Sequence, residues 1–345
     1  MKIVADTNIP FLKGVFEPYA EVVYLDGRSI GRDTIMDADA IIIRTRTRCN
    51  AEMLEGTRVQ MIASATIGTD HIDMTWCAAN GIDVQNAEGC NAGGVADYVF
   101  SALYGVASRR AIKLEEGTTI GIVGVGNVGR KVERMARSLG FNVLLNDPPR
   151  ALLEGPAAFV SLKELLSRSD IVTMHVPLDE TTRGMAGEHF FAAMRPGAFF
   201  INAARGEIVD ENALFRARPK LGALVLDTWC NEPDVNANLL EVCDIATPHI
   251  AGYSYQGKQN GTAMAVQAVA RHFGIEPLLH FRPALEDEAL KPMGISLQGK
   301  TQGEIAAVLQ YNYPIFTDDF LFRTHPDSFE KLRSEYNYRR EFYIE

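Results

Sequence analysis

Three side chains with complementary chemistry each follow a short apolar segment that reads as a strand. They are Arg205, Glu232 and His249. An arginine can hold a carboxylate through a pair of parallel hydrogen bonds. A histidine can accept the proton of a hydroxyl group, and a glutamate beside it would stabilise the imidazolium that forms. Taken alone, each residue also fits a structural role, but together they suit the oxidation of a 2-hydroxy acid.

A glycine-rich turn upstream of this trio is typical of dinucleotide binding. Gly124, Gly126 and Gly129 form the pattern G-x-G-x-x-G between a predicted strand, Thr119–Val123, and a predicted helix that starts at Val128. In that context the first glycine makes a tight turn, the second lets a pyrophosphate approach the backbone, and the third lets helix and strand pack closely. The helix N-terminus also offers N–H groups to the phosphates. The alternative is a set of glycines that only tighten the turn.

An acidic residue after the next predicted strand indicates which dinucleotide binds. Asp147 can accept hydrogen bonds from both ribose hydroxyls, and it would repel a 2′-phosphate, so the predicted cofactor is NAD rather than NADP. His175, at the end of a later strand, is predicted to line the same pocket. The predicted contacts around the turn are Gly124, Gly126, Asn127, Val128, Gly129 and Asp147.

Two segments near the N-terminus are predicted to bind an anionic substrate. Arg44, Arg46 and Arg48 directly follow an apolar strand, and they share one side if the chain stays extended. Thr66 lies in a run of small and hydroxyl residues with Gly68, which permits close approach of an anion to the backbone. A solvated strand end and a plain glycine turn are the respective alternatives.

The overall composition narrows the class of protein. The chain has 345 residues, 47% of them hydrophobic, and a formal net charge of −10. The length suggests two or three domains, and the negative charge argues against a nucleic-acid partner. No apolar run is long enough to span a membrane, so we expect a soluble, cytoplasmic protein without a membrane partner. The five cysteines are predicted to be reduced thiols, and the histidine spacing predicts no metal site.

The elements that must position these residues alternate between short apolar strands and helical segments, which predicts parallel sheets covered by helices. The strands predicted in the first ninety residues are Lys2–Ala5, Glu21–Tyr24, Ala40–Ile43, Val59–Ala63 and Asp83–Gln85. Those predicted later are Thr119–Val123, Asn142–Asn146, Ile171–His175, Ala198–Asn202, Ala223–Leu226 and Ile245–Thr247. The predicted fold class is α/β, with two doubly wound, Rossmann-like parallel-sheet domains flanking a cleft.

The glycine turn begins more than a hundred residues into the chain, so another domain must precede it. We predict a substrate-binding domain from residues 1–93 and 254–284 and an NAD-binding domain from residues 94–253. Helices over Asn91–Ile112 and Thr262–Phe273 are predicted at the two crossings. Residues 285–345 are predicted to form a small α+β dimerisation domain.

The predicted C-terminal domain is small for an independent core. A helix there would carry Phe329, Leu332 and Tyr336 on one face. Our hypothesis is that this face packs against a second subunit.

With these residues in place, the chain up to about residue 280 resembles the D-isomer-specific 2-hydroxy acid dehydrogenases. It is most similar to a branch of that family that oxidises 4-phospho-D-erythronate. The narrower resemblance is carried by Ala65–His71, Glu88–Ala92, Asn146–Arg150 and His249–Tyr253, with Gln256–Lys258 and Gly261–Thr262 after them.

The resemblance implies that Arg205, Glu232 and His249 are the catalytic residues, with His249 as the proton acceptor or donor. It implies cofactor contacts at Asp147, Val176, Asp227 and Gly252, to which we add Ala203 and Ala204 before the catalytic arginine. It implies substrate contacts at Thr45, Thr66 and Tyr253, and Arg44 and Arg46 are predicted to contact the phosphate.

The implied reaction yields 2-oxo-3-hydroxy-4-phosphobutanoate for pyridoxal 5′-phosphate biosynthesis, with NAD accepting the hydride. The resemblance also implies a homodimer built by the C-terminal domain. Three alternatives stay open. The substrate could be another 2-hydroxy acid, such as D-glycerate or 3-phosphoglycerate, or the chain could be a non-enzymatic NAD sensor. A methyltransferase also uses a glycine-rich turn, but the catalytic trio argues against it.

Overall fold

The computed structural model describes three stretches of the chain, residues 1–114, 117–285 and 287–345. They fold into two compact units, Met1–Asn91 with Ser254–Lys291 and Ala92–Tyr253 with Pro292–Glu345. The chain therefore leaves the first unit after Asn91 and re-enters it at Ser254.

Among the described residues, the first unit contains a sheet of five parallel strands. The strands are Lys2–Asp6 (β1), Glu21–Leu25 (β2), Ala40–Ile43 (β3), Met61–Ser64 (β4) and Asp83–Asn86 (β5). Their order is β2-β1-β3-β4-β5, a doubly wound arrangement. The central strand β3 is buried along its whole length because apolar side chains cover both faces of the sheet.

The second unit contains a sheet of six parallel strands in the order β11-β10-β9-β8-β6-β7, again among the residues described. These strands are Thr119–Val123 (β6), Asn142–Asn146 (β7), Ile171–Met174 (β8), Phe199–Asn202 (β9), Ala223–Leu226 (β10) and Ile245–Ala246 (β11). The chain reverses direction across the sheet between β6 and β8, and ligands bind beyond the carboxyl ends of strands at such a switch point. A separate pair of short parallel strands joins Met293–Ile295 (β12) to Phe342–Ile344 (β13).

Helices cover both sheets, which confirms the predicted α/β fold class. The first ten α-helices are Arg32–Ile35 (α1), Ala51–Leu54 (α2), Met74–Ala79 (α3), Ala92–Arg109 (α4), Asn127–Ser138 (α5), Pro148–Glu154 (α6), Leu162–Arg168 (α7), Glu188–Ala193 (α8), Glu211–Ala217 (α9) and Ala237–Val242 (α10). They are followed by Tyr255–Phe273 (α11), Gln302–Asn312 (α12), Ile315–Thr324 (α13) and Phe329–Ser334 (α14). None of the helices within the described ranges is long and apolar enough to cross a membrane.

The C-terminal segment is not a separate unit, in contrast to the predicted dimerisation domain at residues 285–345. Residues 292–345 belong to the second unit, where α12 packs against α4. Phe329 is 1% exposed and meets the ring of Phe322 at 5.7 Å, and Leu332 packs against the same core. Tyr336 lies against Tyr253 of its own chain. The reason given above for a second subunit is therefore wrong, because this chain itself covers the apolar face.

Candidate active site

The register of the second sheet brings the predicted site residues to one rim. Asn202 pairs with Leu226, which pairs with Ala246, so β9, β10 and β11 end side by side. On the other half of the sheet, Val123 pairs with both Met174 and Asn146. The segments that carry Gly124, Asp147, His175, Arg205, Asp227 and His249 all leave the sheet at this level.

The glycine turn has the geometry that a bound pyrophosphate requires. Gly124 has φ +86°, and a side chain there would press on the backbone of His175. A side chain at Gly129 would collide with the carbonyl oxygen of Gly124. Gly126, in contrast, is exposed and has open space where a Cβ would be, at the N-terminus of α5. Two glycines thus serve packing, while the third leaves the helix N-terminus accessible to phosphate.

Asp147 is joined to the glycine turn by its own carboxylate. One oxygen accepts a hydrogen bond from the Val125 N–H at 2.8 Å, and the other accepts one from the Arg150 N–H at 3.0 Å. Arg150 also donates from Nη1 to the Val125 carbonyl at 2.7 Å, a contact that the sequence analysis missed. The acidic group is therefore held next to the turn, where ribose hydroxyls are expected.

His175 lies at the switch point directly after β8. Its Nε2 is 2.9 Å from the Thr173 hydroxyl oxygen. Burial lowers the pKa of His175 to about 3, so the imidazole is neutral near pH 7. Val176 beside it is half-buried. An uncharged imidazole beside an apolar side chain at the switch point is consistent with the prediction that both residues contact the cofactor.

His249 and Glu232 form a direct pair. His249 Nδ1 is 2.8 Å from Glu232 Oε2, and Glu232 Oε1 accepts a hydrogen bond from the Trp229 N–H at 3.0 Å. Burial opposes the charge of Glu232, but His249 and these hydrogen bonds outweigh it and lower the pKa of the carboxyl. Glu232 therefore stays ionised, and the imidazole turns Nδ1 to the carboxylate and Nε2 away from it.

The loop that carries His249 is anchored by Asp227. The Asp227 carboxylate accepts hydrogen bonds from the Thr247 hydroxyl at 2.7 Å and from the N–H groups of Ile250 and Ala251 at 2.8 and 3.0 Å. His249 has φ +56°, a backbone conformation that persists only where its surroundings hold it. Asp227 is 1% exposed, and its carboxylate is held by these three hydrogen bonds to Thr247, Ile250 and Ala251. A contact from Asp227 to the cofactor remains a prediction.

Arg205 is placed by a tight loop after β9. The Asn202 amide donates to the Arg205 carbonyl at 2.9 Å, and Arg205 Nη1 donates to the Ala204 carbonyl at 2.8 Å. The next residue, Gly206, packs so closely on the Trp229 backbone that no side chain would fit. This contact joins the loop of Arg205 to the loop that carries Glu232. Ala203 and Ala204 are half-buried on the same rim.

The arginine segment of the first unit differs from the extended arrangement that was assumed. The chain turns at Thr45 and Arg46 instead of staying extended. Arg44 forms an ion pair with buried Asp6, Nε to Oδ2 at 2.9 Å. The assumption that three arginines share one side of a strand is therefore wrong, because the backbone turns after Arg44. In the same unit, the Thr66 hydroxyl is 2.8 Å from that of Ser64.

Tyr253, a predicted substrate contact, is surrounded by C-terminal residues of its own unit. Its ring meets Tyr336 at 5.8 Å and Tyr338 at 6.2 Å, both close to edge-on. Its carbonyl accepts a hydrogen bond from Arg339 at 2.9 Å. Gly252 before it is half-buried. Tyr336, Tyr338 and Arg339 were all missed by the sequence analysis, because no motif links the distant tail to this loop.

Comparison with known proteins gives consistent matches. The family model described as D-isomer specific 2-hydroxyacid dehydrogenase, NAD binding domain, matches residues 104–251. The chain is 42% identical to an erythronate-4-phosphate dehydrogenase of Bacteroides fragilis, over 99% of this chain and 97% of that protein. It is 40% identical to the protein of the same name from Porphyromonas gingivalis, over 99% and 94%.

A solved structure shares the fold. The NAD⁺-bound 3-phosphoglycerate dehydrogenase of Entamoeba histolytica superposes with a TM-score of 0.66 at 27% identity. The match covers 81% of this chain and 97% of the other.

Proposed function

The chain belongs to the D-isomer-specific 2-hydroxyacid dehydrogenase family and matches the NAD-binding domain of that family, and on that premise we propose that it oxidises 4-phospho-D-erythronate to 2-oxo-3-hydroxy-4-phosphobutanoate. This is a reaction of pyridoxal 5′-phosphate biosynthesis. The choice of substrate is supported by relatives named erythronate-4-phosphate dehydrogenase that match almost the whole chain. The chemistry is supported by one observation above all, the 2.8 Å contact between His249 and Glu232.

In the proposed mechanism, His249 Nε2 accepts the proton of the substrate's 2-hydroxyl group. Glu232 stabilises the imidazolium, because the carboxylate is ionised and lies in direct contact with Nδ1. The same contact fixes the orientation of the ring. NAD, when bound, supplies the acceptor for the hydride that leaves C2. In the reverse direction, the imidazolium returns the proton to the 2-oxo oxygen.

Arg205 is proposed to hold the substrate carboxylate. A guanidinium group can donate two parallel hydrogen bonds to a carboxylate, which fixes the direction of the C1–C2 bond. The hydrogen bonds within the loop and the close packing of Gly206 keep the arginine backbone in place. The backbone that carries the Arg205 side chain is therefore held in place, as the orientation of a reacting centre requires.

The residues at the switch point fit NAD. We place the pyrophosphate at the N-terminus of α5, beside the open space at Gly126. Asp147 is proposed to bind the ribose hydroxyls, because a carboxylate has lone pairs left after accepting two N–H groups. The remaining proposed cofactor contacts are Asn127, Val128, His175, Val176, Ala203, Ala204, Asp227 and Gly252.

The proposed substrate contacts are Thr45, Arg46, Thr66 and Tyr253. Arg44, which was also predicted to contact the phosphate, is left out of this set. The Arg44 guanidinium is already paired with buried Asp6, and breaking that pair would leave a buried carboxylate without its partner.

A comparison of kcat/KM among substrates tests this proposal. The purified protein with NAD would be assayed with 4-phospho-D-erythronate, D-glycerate and 3-phosphoglycerate, and NADH formation would be followed by absorbance. We expect 4-phospho-D-erythronate to be preferred by at least about a hundredfold, because a site with groups built for its phosphate and hydroxyls leaves those groups unpaired with the other acids. An equal or higher value for another acid would replace the proposed substrate. Tight NADH binding without turnover of any acid would favour the NAD sensor.

A homodimer and a cytoplasmic location complete the proposal. Large apolar side chains are exposed on the C-terminal helices α12 and α13, namely Tyr311 at 84%, Phe320 at 63% and Leu321 at 41%. Such side chains are typical of interfaces between subunits. Light scattering at micromolar concentration should give twice the mass of the chain, and a monomer mass would exclude the dimer.

A further inference from the structure

One arginine of the C-terminal segment donates mainly to the loop that follows His249. Arg339 Nη1 donates to the carbonyls of Tyr253 at 2.9 Å and Ile250 at 3.3 Å. Its Nη2 donates to the carbonyls of Ala251 and Gly94, the latter at 2.9 Å. Most of the acceptors therefore belong to the short stretch directly after the catalytic histidine.

The surroundings of Arg339 keep it charged and in place. Its guanidinium group lies on the ring of Tyr313, 3.8 Å from the centroid. Burial opposes the charge, but nearby tyrosines and the carboxyl groups of Asp97 and Asp318 outweigh it and raise the pKa of Arg339 above its ordinary value. The hydrogen bonds to the loop are therefore charge-assisted, and such bonds are the stronger class.

Arg339 and Asp227 bind opposite backbone groups of the same two residues. Asp227 accepts the N–H groups of Ile250 and Ala251, while Arg339 donates to the carbonyls of these two residues. Both polar groups of each residue are thus satisfied by a charged side chain. Asp227, which follows β10, and Arg339 of the C-terminal segment thus hold the loop from two sides. The loop adjoins His249, which has a left-handed backbone conformation.

We propose that Arg339 is a positioning residue for the dehydrogenation: it holds the loop of residues 249–253 so that the His249 imidazole stays aligned with Glu232 and with the substrate hydroxyl. The inference rests on the proposed role of His249. It gives the C-terminal segment a part in turnover that is separate from any part in dimer formation. A shift of a reacting group by about 1 Å can cost roughly a hundredfold in rate, so loss of these hydrogen bonds should be visible in kcat.

The test compares Arg339→Ala and Arg339→Lys with a matched control, Arg323→Ala. Arg323 likewise lies in the C-terminal segment and donates to backbone carbonyls of its own unit, those of Leu240 and Cys243. These residues precede β11 and lie outside the catalytic loop. For each variant, kcat, KM for 4-phospho-D-erythronate, KM for NAD and Tm would be measured.

We expect Arg339→Ala to lower kcat by about tenfold to a hundredfold. Each KM should change by a smaller factor than kcat, because only Gly252 of the proposed cofactor contacts and only Tyr253 of the proposed substrate contacts lie in the loop. Arg339→Lys keeps the charge but cannot reach all the carbonyls, so its kcat should lie between those of the parent and the alanine variant. Arg323→Ala should keep kcat within about twofold of the parent even if its Tm falls as far as that of Arg339→Ala.

Parental kcat in both Arg339 variants would overturn the inference, as would an equal loss of kcat in Arg339→Ala and Arg323→Ala. If Arg339→Ala does not fold, Arg339→Lys decides: a kcat that falls by a larger factor than either KM rises supports the inference, and a parental kcat refutes it. His249→Ala, assayed in the same way, separates the proposed role of His249 from the proposed role of Arg339. Retained turnover in His249→Ala would refute the proposed acid–base role of His249. If His249→Ala loses turnover but both Arg339 variants keep the parental kcat, only the positioning role of Arg339 is refuted.

Discussion

A single methyl group added at Gly126 should weaken cofactor binding and leave the fold intact. Gly126→Ala adds a Cβ that meets no atom within 4 Å. The residue has φ −77° and ψ −145°, so the substitution does not force a left-handed backbone. The methyl group would stand in the space at the N-terminus of α5 where we place the pyrophosphate. We therefore expect a folded protein that binds NADH weakly.

The expected magnitudes follow from the local geometry of the turn. Alanine is a poorer N-cap than glycine by about 0.5–1 kcal/mol, whereas the lower freedom of the unfolded chain returns about 0.4–1 kcal/mol. The free energy of unfolding should thus stay within about 1 kcal/mol of the parent. Loss of one hydrogen bond from a backbone N–H to a charged phosphate would remove about 1.5–3 kcal/mol of binding, which weakens the NADH Kd by roughly tenfold to a hundredfold.

The matched control is Gly129→Ala, in which the new Cβ collides with the Gly124 carbonyl oxygen. Overpacking of this kind costs about 1–3 kcal/mol of stability, so Tm should fall in this variant and not in Gly126→Ala. Tm would be measured by circular dichroism, and the NADH Kd by fluorescence titration. NADH binding by Gly126→Ala as tight as that of the parent would refute the placement of the pyrophosphate, and so would a lower Tm in Gly126→Ala than in Gly129→Ala.

Four further substitutions test the other parts of the site. Glu232→Gln should lower kcat by about tenfold or more, since the imidazolium loses its counter-charge; parental kcat would contradict this. The pKa of Glu232 is lowered in the fold, so its ionised form stabilises the protein above the ordinary carboxyl value of 4.5 and the contribution is lost as pH falls through the lowered value. The Tm advantage of the parent over Glu232→Gln should therefore shrink on acidification below that range, and a constant difference would count against the ion pair. Arg205→Lys keeps the charge but cannot form two parallel hydrogen bonds to the substrate carboxylate, so kcat/KM should fall by about tenfold. An unchanged kcat/KM would refute the proposed role of Arg205 in binding the carboxylate. Arg44→Ala should lower Tm by leaving buried Asp6 unpaired, whereas Arg46→Ala should raise KM more for phosphorylated than for unphosphorylated acids; equal effects of Arg46→Ala on both would refute the phosphate contact.

Much of the sheet architecture could be predicted from the sequence, because buried parallel strands appear as short, continuous apolar runs. Ala40–Ile43, Thr119–Val123 and Ala223–Leu226 have the predicted bounds. The predicted long helix over Asn91–Ile112 ends earlier, at Arg109, and Ala111 after it has φ +55°. Nothing in the side-chain pattern there indicates a left-handed residue.

The helix of the return crossing starts earlier than its apolar pattern suggested. It was predicted from Thr262, but it begins at Tyr255, where the Ser254 hydroxyl accepts a hydrogen bond from the Gly257 N–H at 2.9 Å. Its first turns carry few large apolar residues. Instead, Gly261 packs closely on the Ala65 carbonyl, a contact between distant segments that periodicity does not reveal.

The common rim of the segments that carry Arg205, Asp227 and His249 could be anticipated, because the strand ends of a parallel sheet lie side by side. The catalytic roles of Arg205, Glu232 and His249 stay a prediction. Contacts that depend on distant partners could not be anticipated. The ion pair of Arg44 with Asp6 spans 38 residues and follows from a turn that no motif marks. Arg339 binds the loop that follows His249, and no sequence pattern links these two distant segments.

The central claim is that His249 takes the proton of the substrate hydroxyl in an NAD-dependent oxidation of 4-phospho-D-erythronate. The most direct measurement is the rate of NADH formation by His249→Ala at saturating NAD and 4-phospho-D-erythronate, compared with the parent. We predict a fall in kcat of about 10²- to 10⁴-fold, with the NADH Kd close to the parental value. Turnover by His249→Ala at a rate near that of the parent would contradict the claim.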